Sequence, residues 1–293
     1  MSGLLQFTVA VLFAAIFWSW RLAIIRWRAG GALVPFEPRR PVPWTGADLL
    51  CIALGYLVLN VIASSIASFV HETDGLGDLP QVTILLMGAL ASTAAVLAAA
   101  LWIRLRHQAT WTDLGLDLSR LRSDLLLGLA AFAVVSAPIY AIQACLTQLI
   151  PSEHPIIEAL QGADAGWTLW LSSLVLAVVV APLTEEFLFR VVLQGWLESL
   201  GSEVGTHGDH ELMTADAIPS RPLRARWAPI VLSSAAFALM HLPRPDVVPL
   251  FFLALALGYL YRQTHRLWPS MVAHGCLNAC SLGMLWFSGP FRP

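Results

Sequence analysis

Apolar runs long enough to cross a bilayer recur along the whole 293-residue chain, and they restrict what it can fold into. A span takes about 20 residues at about 1.5 Å of rise each. Such runs occupy about 3–20, 47–70, 80–103, 124–150 and 166–200, followed by shorter ones at about 227–242 and 247–261 and a last at 267–288. The expected fold is an all-α polytopic membrane protein with about eight transmembrane helices. The run around Pro182 is expected to kink or to split in two, because an interior proline removes a backbone donor. With 57% hydrophobic and 12% charged residues, little of the chain remains for a water-soluble catalytic domain. A net charge of −2 leaves no cationic surface for a run of phosphates, which excludes nucleic acid as a partner.

The loops alternate in sign. Arg21, Arg26, Arg28, Arg39 and Arg40 follow the first run, and His71, Glu72, Asp74 and Asp78 follow the second. Arg104, Arg106, Arg120 and Arg122 follow the third, and Glu153, Glu158 and Asp164 the fourth. By the positive-inside rule the first and third loops face the cytoplasm and the N-terminus faces away from it. The first run has its arginines after the apolar stretch and no evident cleavage site, so it is expected to be an anchor rather than a removed signal peptide. Cys51, Cys145, Cys276 and Cys280 lie in apolar segments with no CxxC spacing and say little of redox compartment; Cys276 and Cys280, one turn apart, could chelate a metal but are expected to pack between helices. Gly201–Arg226, with three glycines and two prolines among mixed charges, is expected to be a flexible connection or a lid.

Charges that leave the loops are the informative ones. APLTEEFLFRVVLQGWL places Glu185, Glu186 and Arg190 in a helix otherwise built of Leu, Val, Phe and Trp. Each ionisable group at mid-membrane costs on the order of 2.5–3.5 kcal/mol on insertion scales, so the three need partners or a purpose. Glu186 and Arg190 stand at i and i+4 with the acid first, the better orientation for an ion pair. Glu185 lies about 100° around the helix and has no local cation. A desolvated carboxylate beside another suits a general base near neutral pH. His241, one turn after Phe237 in FALMH, and His274 with Asn278, one turn apart in HGCLN, also sit in apolar surroundings. Either histidine alone is more simply a ring hydrogen-bonded across a helix pair.

EEFLFR, FALMH and HGCLN, in that order on successive helices, resemble the EExxxR, FxxxH and HxxxN motifs of the CPBP (ABI or CAAX-processing) family of intramembrane proteases, related to the Ras-converting endopeptidase. The similarity covers about 110–285 and includes Asp113–Leu116 (DLGL) ahead of the fourth run. It implies N-terminal transmembrane helices over 1–105 and an intramembrane protease domain over 106–293. It further implies that Glu185 and His241 polarise a water that attacks a peptide carbonyl, and that His274 and Asn278 stabilise the oxyanion. Glu186 and Arg190 would support them by fixing the helix or holding the substrate's carboxylate.

The same side chains allow a zinc site of two histidines and a glutamate. The HExxH signature is missing, so the expected cofactor is none, with zinc as the alternative. Two other readings compete with an endopeptidase. One is a non-catalytic scaffold or immunity-type protein of the same fold, in which buried ion pairs serve helix registry. The other is a small transporter, which the lack of a two-fold repeat disfavours. The expected partners are the lipid bilayer and a membrane-associated peptide or protein, and the expected location is the cell membrane of a bacterium. One geometric tension remains, because Glu185 and His241 both fall late in consecutive, oppositely directed spans. They can meet only near mid-membrane or at a helix break.

Overall fold

The computed structural model describes residues 3–74, 79–150, 160, 166–203, 223–242 and 246–288. Among them there is no strand. The long helices are α1 (Gly3–Arg28), α2 (Gly46–Asp74), α3 (Leu79–His107) and α4 (Leu121–Thr147). A composite helix follows: α5 (Trp167–Val175), a π-helical stretch (Leu176–Val180), α6 (Ala181–Glu186), a second π-helical stretch (Phe187–Gln194) and α7 (Gly195–Glu203). Then come α8 (Leu223–Leu239), α9 (Val247–Thr264) and α10 (Leu267–Ser288). The centre of the 201–226 connection, residues 204–222, lies outside the described residues, as do the acidic Glu153, Glu158 and Asp164.

Five of the described helical segments are long and apolar enough to cross a membrane: Gly46–Phe69, Val82–His107, Leu121–Thr147, Trp167–Leu200 and Val247–Thr264. The eight expected runs thus appear as eight helical units, of which five meet that measure. Trp227–Leu239 is apolar but shorter, and α10 carries Ser270, His274, Asn278 and Ser281 along its length. The outer faces are what a bilayer requires. On α2, Leu50, Leu54, Leu57, Val58 and Val61 are all exposed, as are Phe13, Phe17, Trp18 and Trp27 on α1. Lipid tails remove the cost that water would impose on such surfaces.

Pro182 does not split its run. The helix widens into the π register just before it, and the proline occupies the first turn of α6, where its missing N–H is tolerated. The composite helix therefore runs on for 34 residues from Trp167 to Leu200. α2 packs mainly on α3, α4 on α10, and α8 on α9.

One core cluster reaches across the expected boundary near residue 105. It joins Trp44, Ile52, Val96 and Ile103 to Phe187, Val191, Tyr261 and Leu267. The strap between α1 and α2 fixes this arrangement with polar contacts. Trp44 Nε1 donates to Val192 O at 3.0 Å, Gln263 Nε2 donates to Val34 O at 2.6 Å, and Glu37 N donates to Gln263 O at 2.8 Å. Arg120 Nη1 reaches Glu37 Oε1 at 3.1 Å, which brings the first and third loops to one end of the bundle, as their shared positive charge requires. DLGL sits at the same end. Gly115, at φ +70°, offers its carbonyl to Leu267 N at 2.9 Å, and Leu114 is fully buried.

Candidate active site

The charged residues of α6 and the second π stretch do not share one environment. Glu186 is fully buried and both its oxygens are occupied. Arg190 Nε donates to Oε2 at 3.0 Å, and His274 Nδ1 meets Oε1 at 3.0 Å from α10. Its neighbour Glu185 keeps 27% of its side chain exposed, and its nearest imidazole is His274, whose Nε2 lies 3.7 Å from Oε2. Sequence spacing left Glu185 without a local cation; the packing of α10 against α6 supplies one from 89 positions further along the chain when His274 is protonated.

A carboxylate has no hydrogen to give, so the contact with Glu186 places a proton on His274 Nδ1. Nε2 is then a donor only when the ring is protonated on both nitrogens. His241 is oriented differently. Its Nδ1 lies 3.0 Å from Phe237 O, a carbonyl that only accepts. That fixes the N–H on Nδ1 and, in the neutral ring, leaves the Nε2 lone pair free to take a proton.

The anticipated difficulty of depth is met by helix length. Glu185 lies near the middle of the 34-residue composite helix. The short α8 ends at Leu239, and His241 follows in a hydrogen-bonded turn, its N donating to Ala238 O at 3.0 Å. Phe237 packs between the parts: its ring centroid lies 5.0 Å from that of His241 and 5.9 Å from that of His274, and Arg190 Cζ stands 5.6 Å from it. Asn278, one turn beyond His274, donates Nδ2 to Ala177 O at 2.8 Å.

Several site residues carried no motif. Arg190 Nη1 donates to Ser233 Oγ at 3.3 Å, and Ser233 lies 3.2 Å from Gln194 Oε1. Gln194 Nε2 donates to Gly258 O at 2.8 Å and to Glu198 Oε1 at 2.9 Å. A Cβ on Gly258 would meet Gln194 Oε1 at 2.9 Å and Ile230 Cγ2 at 3.0 Å, so a side chain there would displace the Gln194 amide. The signal for this chain was a stripe at every fourth residue, Glu186, Arg190, Gln194 and Glu198. On an α-helix such a stripe drifts by about 40° per step. The wider π turn over Phe187–Gln194 pulls it back into line.

At the far end of the stripe a second ionic cluster ties down the strap. Glu198 Oε2 takes Arg39 Nη2 at 3.2 Å and lies 3.5 Å from His265 Nε2, while Arg39 Nη1 donates to Tyr261 OH at 2.8 Å. His265, in the left-handed conformation at φ 50°, gives Nδ1–H to Glu37 O at 2.8 Å. Burial, together with the Arg39 guanidinium, holds its imidazole below the usual histidine range. Arg266 Nε reaches Asp124 Oδ1 at 2.8 Å and Oδ2 at 2.9 Å, and its Nη1 pairs with Glu37.

The zinc alternative needs three converging ligands. Among the described residues no group of three His, Cys, Asp or Glu side chains is placed to hold a metal ion. His274 gives Nδ1–H to Glu186, which leaves Nε2 as its nitrogen towards Glu185, and Cys276 and Cys280 form no disulfide.

Residues 167–280, from α5 into α10, match the family model described as Type II CAAX prenyl endopeptidase Rce1-like. The match supports a CAAX-protease domain of the CPBP family in this region. The match is narrower than the 110–285 suggested by the motifs, and it contains all of EEFLFR, FALMH and HGCLN. No curated protein and no solved structure matches the chain. The Rce1-like family is a protease family, and the apolar helices support an integral membrane protein.

Proposed function

We propose that the chain is an intramembrane endopeptidase that hydrolyses a peptide bond of a membrane-associated substrate with water activated by Glu185 and His241. The observation that carries this reading is the contrast between adjacent carboxylates. Glu186 is 0% exposed and doubly bound, while Glu185 is 27% exposed and faces an imidazole. One acid holds the site together and the other is free to work.

In the proposed step a water between Glu185 and His241 Nε2 loses a proton to one of them as its oxygen bonds to the peptide carbonyl carbon. The carbonyl π electrons move to oxygen, and His274, carrying protons on both nitrogens beside Glu185, donates Nε2–H to that oxyanion. Collapse of the tetrahedral intermediate breaks the C–N bond, and the proton taken from water passes to the leaving amine. These steps use no metal. Glu186, accepting from Nδ1, holds the His274 ring in orientation and favours its doubly protonated form. Because Glu186 and Arg190 are both fully buried, their proposed role is to position the ring rather than to hold a substrate carboxylate. A bacterial cell membrane is the proposed setting.

The test is cleavage of a library of lipid-anchored and membrane-spanning peptides by the purified protein in proteoliposomes, with Glu185→Ala as control. Wild-type cleavage that the variant lacks is expected. Equal cleavage by both would remove Glu185 from the mechanism, and no cleavage by wild type would favour the scaffold reading, in which the buried pairs serve helix registry alone.

A further inference from the structure

α1, α4 and α9 do not close on one another. They enclose a hollow of about 410 Å³, with one residue of α10, Ala273, in its wall. On α1 the lining is a single helix face, Ser19, Leu22, Ala23 and Arg26, at the spacing i, i+3, i+4 and i+7. Alanines keep the space open: Ala23 stands on α1, Ala130 and Ala131 on α4, and Ala256 on α9. Protein interiors carry few voids larger than a water molecule, and an apolar hollow holds no water. In a bilayer the material that can fill it is hydrocarbon.

The polar groups of the lining are unevenly placed. Ser19 apart, they gather at the strap between α1 and α2, whose Leu33 and Val34 also line the hollow. Arg26 Nη1 donates to Leu33 O at 3.2 Å, and Tyr259 OH accepts Gln263 Nε2 at 3.3 Å, the same nitrogen that reaches Val34 O. Arg26 is exposed and makes no ion pair among the described residues. Its charge thus stands at the mouth of an otherwise apolar cavity. By the positive-inside rule this mouth opens at the cytoplasmic leaflet, where anionic headgroups meet arginines that end a span.

We infer that the hollow is a lipid site, which takes one acyl chain of an anionic phospholipid between α1, α4 and α9 and holds its phosphate on Arg26. The site is separate from the candidate active site, since Glu185, His241, His274 and Asn278 do not line it. Ala273 does, and the next residue, His274, is turned about 100° around α10 toward the glutamates. The inference goes beyond the peptidase reading, and its test needs no peptide cleavage.

The experiment titrates delipidated protein in detergent with dioleoyl-phosphatidylglycerol or dioleoyl-phosphatidylcholine and counts retained lipid by native mass spectrometry. Wild type should retain one phosphatidylglycerol, preferred over phosphatidylcholine by about fivefold, the worth of one arginine beside an anionic headgroup. Arg26→Gln should lose that preference. Arg28→Gln, which removes a charge from the same turn of α1 but not from the cavity wall, should keep it. Ala23→Leu with Ala256→Leu narrows the hollow from two walls and should weaken retention of both lipids at least about tenfold. Ala23→Leu alone, a smaller intrusion, should weaken it in the same sense and serves if the double variant does not fold. Single-chain lysophosphatidylglycerol should displace the two-chain lipid, because the cavity takes one chain. Equal retention of the two lipids by wild type, or equal losses in Arg26→Gln and Arg28→Gln, would overturn the inference in favour of attraction to the charged surface alone. Wild-type retention by the folded leucine variants would show that no chain enters the hollow and overturn it as well.

Discussion

The two ends of the polar stripe that starts at Glu186 solve the same problem in different ways. At the α7 end, Arg39, Glu198, His265, Arg266, Asp124 and Glu37 form ion pairs and hydrogen bonds that absorb each carboxylate, and the product is a fastened strap. At the α6 end, Arg190 and His274 are both engaged by Glu186, and one carboxylate, Glu185, is left partly open. Buried charge by itself therefore says nothing about catalysis. What distinguishes the α6 end is an acid that stays 27% exposed beside an imidazole while its neighbour is fully buried and doubly bound.

The largest expected effect separates the two adjacent glutamates. Glu185→Gln should reduce peptide cleavage by about 10²–10⁴-fold, the usual contribution of a general base, while leaving the melting temperature in detergent unchanged. Glu186→Gln should lower the melting temperature as well. If the two variants behaved alike in both measurements, the contrast between a working and a structural acid would collapse.

Next in size is Arg190→Leu, which strands Glu186 in a fully buried site and should cost on the order of 3–5 kcal/mol of stability, read by thermal or denaturant unfolding in micelles. The double change of Glu186 and Arg190 to leucine should recover only part of this. It removes the uncompensated charge but leaves His274 Nδ1 without its acceptor. Full recovery would mean that His274 does not depend on Glu186.

Arg266→Met tests the α7 end. Asp124 is fully buried and takes Arg266 Nε on both oxygens, so stability should fall by about 3 kcal/mol. The kcat of the surviving folded fraction should stay within about threefold of wild type, because that cluster leaves no acid open. A larger loss of kcat at unchanged stability would place chemistry where the comparison assigns only fastening.

The smallest effect is a pH dependence. His265 has a folded-state value below the unfolded histidine's ordinary 6.5 or so, through burial and Arg39, with Glu198, Tyr261 and Glu37 also facing it. Between those two values the unfolded chain binds more protons, so stability should fall as pH drops below about 6.5, with a slope of at most about 1.4 kcal/mol per pH unit. His265→Gln should flatten that part of the curve measured by unfolding at successive pH values. An unchanged slope would assign the acid sensitivity to another group.

Much of the site was legible in the sequence because a membrane makes a misplaced charge conspicuous. Glu185, Glu186, Arg190, His241, His274 and Asn278 stood out against Leu and Val, and the i,i+4 pairing of Glu186 with Arg190 follows from local geometry alone. Ser233, Tyr261 and Gly258 carried no such mark, since Ser, Tyr and Gly are ordinary in spanning helices. Their roles come from what lies across the bundle. Gln194 and Glu198 continue the four-residue spacing of Glu186 and Arg190 but were not singled out, because their alignment depends on π turns that residue spacing on an α-helix does not suggest.

The sequence by itself determined that the chain is all-helical and lies in a membrane, since the length and apolarity of the runs allow little else, and that three charges in one helix had to be used. Only the tertiary structure decided who uses them. Local spacing left Glu185 without a partner, whereas α10, packed through Gly275 and Asn278 onto the turn opened by Pro182, brings His274 against both glutamates. Glu186 and His274 are 88 residues apart. Periodicity reports which residues share a face of one helix, whereas partnership across helices is set by how closely two backbones approach, which a missing Cβ and a missing N–H at distant positions control together.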